Sequence, residues 1–352
     1  MKESEILVLV QSIEQPRVIK RIIELTEIYN KVYILGFSRS FYRDINSSLF
    51  ANYSSIEILK LKSIPNRNFF FRVVYYFYFL FLLNFQFKKF NNIYCFGLDS
   101  RLLVFFSNNS KVIYEISDIS WLYFSRPFKF FFSKLDYFLA NLSYKVVFTS
   151  TGFYESYYSH LPLQRVLIKE NRFRSFNKVQ PILKLKSDVV RVAYVGAFRY
   201  TDIIKILINY FKNNPEKELR FYGDGYEDVV NFIKKHSEKY PNIYFFGPFK
   251  NPDHLEKIYS QNNINFVAYD NSLDNEKVAM PNKFYESGFF NIPIVVSKGT
   301  YVAQRVQEVK LGWCIEPNDE GIKMFFDSLS VSHLLKAHEQ IKLLDKKQFY
   351  ED

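Results

Sequence analysis

Apolar residues in this chain alternate between two spacings. Short runs of β-branched and aromatic residues are each followed by a longer stretch in which apolar positions return every three or four residues. The first spacing predicts buried strands and the second predicts helices packed on them. In the first half this gives strands at Ile6–Val10, Val32–Gly36, Ile56–Leu59, Ile93–Phe96, Val112–Glu115, Val146–Thr149 and Val166–Ile168. Helices are predicted near Arg17–Tyr29, 68–88, 100–107, 127–142 and 151–159. Strand runs that are apolar throughout, separated by helices, indicate a doubly wound α/β domain with a mainly parallel sheet.

The alternation lapses from Arg172 to Lys186, where Asn177, Pro181 and three lysines leave no period, and restarts at Val189–Gly196. Further strands fit Leu219–Tyr222, Ile243–Phe246, Ile264–Ala268, Ile294–Ser297 and Trp313–Ile315, with helices near Ile203–Lys212, 227–239, 252–260, 282–290 and 301–309. The chain therefore reads as a domain over 1–175, a linker over 176–188, a second domain over 189–325 and a helical tail over 326–352 that packs back across the junction. Two such domains facing each other across a cleft place ligands at the carboxyl ends of their sheets. A length of 352 residues agrees with two cores.

Charge separates the halves. Residues 1–180 hold 24 Lys and Arg against 13 Asp and Glu, whereas the remainder is balanced, and the same segment carries 25 of the 39 phenylalanines. Basic residues set among aromatics, as in Phe128-Lys129-Phe130-Phe131-Phe132-Ser133-Lys134, suit an anionic and partly apolar surface. An anionic membrane leaflet is the expected partner, contacted by Arg72, Lys129 and Lys134, and nucleic acid is not expected. The apolar run Val73–Leu83 is too short to span a bilayer, and Arg72, Asn84 and Gln86 close it off. Cys95 and Cys314 form neither a disulfide framework nor a metal-ligand spacing. The acidic Met1-Lys2-Glu3-Ser4-Glu5 start is unlike a signal peptide, and the expected location is cytoplasmic, peripheral on the inner face of the cell membrane.

The chemistry concentrates in Pro281 to Ser297, where a Pro-Asn start opens a short helix ahead of a buried strand. The first-turn N–H groups of such a helix favour a phosphate. Lys283 adds a cation, and Glu286 adds an acceptor for a vicinal diol; the same two residues also fit an ordinary solvated pair.

In sequence order, the second half resembles the nucleotide-sugar-binding domain of retaining GT-B glycosyltransferases of family four. Tyr194-Val195-Gly196-Ala197-Phe198-Arg199 is similar to that domain's first strand and glycine turn, and Leu219 to Gly225 is similar to its "GdG" strand end. Asn242 to Pro248 resembles its "N-I-x-F-x-G" strand, and Lys283 to Ser297 its donor helix and strand. The first half is looser: Gln15-Pro16-Arg17-Val18-Ile19-Lys20 stands where relatives carry "D-P-R-V-x-K", Lys111 to Asp118 resembles "V-Y-D-x-H-D", and Lys145 to Ser150 resembles the strand before the junction.

The resemblance implies a GT-B fold with acceptor binding in the first domain and donor binding in the second. It implies Gly196, Arg199, Gly223, Lys283 and Glu286 at a nucleotide diphosphate sugar, and Arg17 and Ser150 at the acceptor side. It also implies that no cofactor or metal is needed, because cations and a helix end stabilise the departing nucleotide. This sequence departs from the pattern at Val278, where relatives hold a first glutamate: either Glu276 stands in for it or the Pro-Asn-Lys variant manages without it, and Asp274 and Glu276 otherwise read as solvated acids in a polar loop. It departs again at Ser117-Asp118, where many hold a histidine, making Asp118 the catalytic candidate. The implied activity is sugar transfer to a lipid-linked saccharide in capsule, O-antigen or teichuronic-type polymer synthesis. A GT-B nucleotide-sugar epimerase and a non-catalytic, membrane-associated transferase relative are the alternatives.

Overall fold

The structure, a computed structural model, describes residues 3–39, 50, 52–64, 69–106, 111–174, 179–185 and 188–351. It divides into two compact units, Met1–Glu170 and Asn171–Asp352.

The first unit is built on seven strands: β1 (Glu3–Val10), β2 (Tyr29–Arg39), β3 (Ile56–Ile64), β4 (Asn92–Phe96), β5 (Lys111–Ile116), β6 (Lys145–Phe148) and β7 (Val166–Ile168). All pair in parallel in the order β3-β2-β1-β4-β5-β6-β7. Its helices are α1 (Pro16–Ile28), α2 (Phe69–Phe85), α3 (Gly97–Phe105), α4 (Phe128–Asn141) and the short α5 (Thr151–Phe153), which continues as a π-helical turn over Tyr154–Tyr158. The chain runs leftwards from β1 through β2 to β3, then returns to place β4 on the other side of β1. Right-handed crossovers therefore set α1 on one face of the sheet and α2, α3 and α4 on the other. The reversal makes β1 and β4 a topological switch point, where neighbouring carboxyl ends open a crevice.

The second unit repeats the scheme with β8 (Val190–Phe198), β9 (Lys217–Gly225), β10 (Ile243–Gly247), β11 (Ile264–Val267), β12 (Ile294–Ser297) and β13 (Gly312–Ile315). The order is β10-β9-β8-β11-β12-β13, all parallel, so the switch point lies between β8 and β11. Around it lie α6 (Thr201–Phe211), α7 (Glu227–Lys239), α8 (Leu255–Ser260), α9 (Asp274–Val278), α10 (Asn282–Phe290) and α11 (Tyr301–Val309). The helix α9 falls on a stretch that reads as polar loop: Asp274 and Glu276 supply a negatively charged first turn, and Asn275 and Glu276 are buried. The predicted helical tail is two helices, α12 (Asp319–Ser328) and α13 (Val331–Lys342), parted where Ser330 caps the second.

Several tail residues pack into the second unit. Leu334 joins the core beneath α6 and α12, while Ile341 and Phe349 join the core beneath α10. The Phe349 ring fills the space over Gly288 so closely that a β-carbon there would collide with it, and Lys346 donates to the Gly288 carbonyl at 2.9 Å and to Asn291 Oδ1. Ile182 and Leu185, from the stretch read as a linker, are buried in the same core.

Candidate functional site

At the second switch point, β8 ends in Gly196 with a φ of +128°, a backbone conformation that glycine adopts without penalty. Among the described residues, its chain neighbours aside, the atom nearest to a β-carbon built there is Lys283 Cε, at 3.7 Å. The glycine turn and the start of α10 therefore lie beside each other, with room for a β-carbon between them at ordinary contact distance. Gly223 has a different role: with φ +144°, a β-carbon on it would collide with the Gly196 carbonyl oxygen. It lets β9 close against β8, and its missing side chain shapes the strand pairing instead of leaving room for a ligand.

Lys283 and Glu286, one turn apart on α10, form an ion pair with Nζ 2.8 and 2.7 Å from the two carboxylate oxygens. The residues are only 9% and 2% exposed, which rules out the reading of a solvated surface pair. Tyr259, at the end of α8, donates its hydroxyl to Glu286 Oε2 at 2.7 Å. Burial, with the Glu286 charge beside it, pushes that hydroxyl well above the ordinary tyrosine range and fixes it as a donor. Asn265 in β11 donates to the Tyr259 hydroxyl at 3.2 Å and to Ser287 Oγ at 2.9 Å, locking β11, α8 and α10 together. The α10 helix begins after Pro281, with Asn282 inside it and no side-chain cap on its N-terminus. The first-turn N–H groups of α10 therefore have no capping side chain.

Arg199 is exposed just beyond β8. Burial raises the Tyr269 hydroxyl beyond β11; Arg199 opposes the rise, while Glu286 and Glu276 add to it. Tyr269 stacks on Tyr200 with centroids 4.6 Å apart, and Tyr200 donates to Glu276 Oε1 at 3.1 Å. The aromatic pair thus joins the ends of β8 and β11 to α9. Tyr259, Asn265 and Tyr200 are the residues missed by sequence reasoning, whereas Glu276 is the acid weighed as a stand-in for the glutamate absent at Val278. Only Asn265 carried a local signal, a polar side chain in an otherwise apolar strand, which in a buried sheet demands a specific partner.

In the first unit, Arg17 near the start of α1 reaches Asp118 Oδ2 at 3.2 Å, joining two sequence candidates 101 residues apart. One turn further along α1, Arg21 Nε donates to Glu115 Oε2 at 2.9 Å; Tyr94 donates to the same buried carboxylate, and Ser117 to its Oε1 at 3.0 Å. These contacts hold the turn that presents Asp118 against α1. At the switch point itself, Gln11 and Tyr76 both donate to Asp99, in the first turn of α3. Ser150 is buried, and its hydroxyl accepts from Gly152 N at 3.1 Å as the cap of α5. Lys134 lies over the Phe130 ring at 5.5 Å, Lys129 is half-buried, and the Arg72 side chain lies outside the described residues. Among the described residues, no three His, Cys, Asp or Glu side chains are grouped as metal ligands.

Two parallel doubly wound sheets in one chain, each with polar groups gathered at its switch point, make this a GT-B fold. Several solved structures are similar to it over nearly the whole chain. Anabaena HepE, crystallised with UDP-glucose, matches 98% of this chain and 95% of its own at a TM-score of 0.69 and 12% identity. A glycosyltransferase from Rickettsia africae ESF-5 matches 99% and 95% at 0.64 and 14%. The sucrose-phosphate synthase of Thermosynechococcus elongatus matches 97% and 95% at 0.66 and 12%. No protein-family model matches the chain, and no curated protein matches it in sequence.

Proposed function

We propose that the protein is a glycosyltransferase that transfers a sugar from a nucleoside diphosphate sugar to a hydroxyl of a lipid-linked saccharide. The reaction we assign is retaining and metal-independent, runs beside an anionic membrane surface, and serves surface-polysaccharide synthesis. The observation that carries the donor half is the buried Lys283–Glu286–Tyr259 cluster on α8 and α10, beside the Gly196 turn. Glu286, fixed by Tyr259, retains lone pairs that accept from a ribose diol. Lys283, Arg199 and the start of α10 offer positive charge to a diphosphate as its bond to the sugar breaks. In the first unit, Arg17 keeps Asp118 oriented for an acceptor hydroxyl. The likeness to HepE, crystallised with UDP-glucose, and to the lipopolysaccharide outer core galactosyltransferase WaaB supports this reading.

The test is thermal unfolding of the purified chain against UDP-, GDP-, ADP- and CMP-sugars, in wild type and Glu286→Gln. A selective rise that Glu286→Gln abolishes is the expected result. No rise with any donor would overturn the assignment, and donor binding without transfer to any lipid-linked acceptor would turn it towards the non-catalytic alternative.

A further inference from the structure

Large apolar side chains are not spread evenly over this molecule. Of the twenty-seven exposed ones among the described residues, fifteen lie between Val73 and Tyr144; those of the second unit, such as Met324 and Leu343, are scattered along its sequence. A concentration of this kind marks an interaction surface, whereas single exposed apolar residues are ordinary.

The fifteen fall on or beside the helical layer α2–α3–α4. On α2, Phe77, Phe81 and Phe85 recur every four residues, making one stripe in which Phe77 is 70% and Phe85 73% exposed. On α4, Phe131 and Phe138 are exposed one heptad apart. Phe105 at the end of α3 bridges to this helix, its ring 5.7 Å from Phe138. The helices are joined below the surface by Tyr76 to Asp99 and by Arg101 Nε to Ser143 Oγ at 2.9 Å. The layer is therefore one continuous platform, and α2 alone extends about 25 Å.

Charge on the platform identifies what covers it. Residues 69–145 contain nine Lys and Arg but only four acids, Asp99, Glu115, Asp118 and Asp136. Glu115 and Asp136 are buried, Asp99 accepts from Tyr76 and Gln11, and Asp118 is paired with Arg17. Arg101 is buried beneath the helices, but Lys88, Lys89, Lys111 and Lys134 are all exposed around the aromatics. A second copy of this chain would set these cations against each other across the interface, whereas an anionic leaflet accepts aromatic rings at its interface and ammonium groups among its headgroups. No described helix is long and apolar enough to cross a membrane.

We infer that the α2–α3–α4 face is the surface on which this protein lies on an anionic bilayer, with Phe77, Phe81, Phe85 and Phe138 in the interfacial layer and Lys88, Lys89, Lys111 and Lys134 at the headgroups. The inference deepens the membrane-associated reading above and rests on it for its purpose, but not for its evidence. Tyr76 and Phe77 are consecutive on α2: one donates to Asp99 at the first switch point and the other points to the lipid. A single helix therefore connects the leaflet with the unit assigned to the acceptor.

Co-sedimentation of the full chain with phosphatidylcholine vesicles, with and without phosphatidylglycerol, tests this. The wild type should pellet only with the anionic vesicles. Phe77→Ser/Phe81→Ser/Phe85→Ser and Lys88→Glu/Lys89→Glu should each lower binding about tenfold or more. Leu343→Ser, on the second unit, should pellet like wild type. In a Phe81→Trp variant the emission should move to the blue on adding anionic vesicles, which adsorption by charge alone does not produce. All these variants alter exposed positions and should keep the wild-type unfolding temperature and its rise with nucleotide sugar, so donor binding and leaflet binding can fail separately. A wild type that stays in solution with both vesicles, or a triple serine variant that pellets unchanged, overturns the inference. Self-association abolished by the serine variant, without vesicle binding, overturns it in favour of a second copy.

Discussion

Single side chains separate positions that hold the molecule together from positions that serve a ligand. Glu286→Ala leaves the Lys283 ammonium and the Tyr259 hydroxyl without their buried partner, so it should cost about 3–5 kcal/mol in denaturant unfolding as well as the donor response. The Arg17–Asp118 pair lies near solvent, and Asp118→Asn should change stability by less than about 1 kcal/mol while lowering turnover at least about tenfold. Unchanged turnover would return Asp118 to a purely structural part. Gly223→Ala forces a β-carbon into the neighbouring strand and should destabilise by about 2 kcal/mol or more; Gly196→Ala has room and bears only backbone strain. Lys283 and Glu286 were legible in sequence because a helix turn puts them side by side. Arg17 with Asp118, and Tyr259 with Glu286, were not, since only the packed sheets bring such distant positions together.

At the scale of elements, the burial of whole strands explains both what could be read and what could not. Every strand of both sheets was legible: the central ones are covered on both faces and apolar along their length, while the partly exposed edge strands β3 and β7 showed in short runs of Ile, Leu and Val. Boundaries shifted where the ladder extends past the apolar run, as in β9, which continues through Gly223 to Gly225. The α9 helix escaped because five residues are too few to show a period, and its two acids read as solvated until Tyr200 and the fold enclosed Glu276. Strand burial also yields a chemical probe. Cys95 sits in β4 between β1 and β5, and burial pushes its thiol up to about 12. It should resist alkylation at pH 8 until the sheet opens, so labelling of the native protein that matches free cysteine would contradict the strand's placement. The sign of the linkage follows: between about pH 9 and 12 the unfolded thiol ionises while the folded one does not, so stability from this group is complete below that window and declines through it.

Taken whole, the molecule divides its labours by charge as well as by fold. On the inferred contact the platform of the first unit meets headgroup charge as well as lipid, so raising salt from 0.05 to about 0.5 M should weaken attachment to anionic vesicles several-fold and leave nucleotide-sugar binding at the proposed donor cluster nearly unaltered. Parallel losses in both would mean that one site serves both ligands. The asymmetry was visible in sequence as a basic, aromatic first half. Its confinement to one helical layer was not, because composition does not say which phenylalanines are turned outward.

The seating of Phe349 over Gly288 has an implication for how the protein comes into being. Both sheets are complete in the chain by Ile315, yet the ring and the lysine that clamp the α10 helix come more than thirty residues later. A nascent chain therefore finishes its scaffold before it can steady the helix bearing Lys283 and Glu286. A chain cut before Lys346 would keep every strand of both sheets but lose a buried ring of the second core together with the clamp on α10, so it should unfold more readily and respond more weakly to nucleotide sugar.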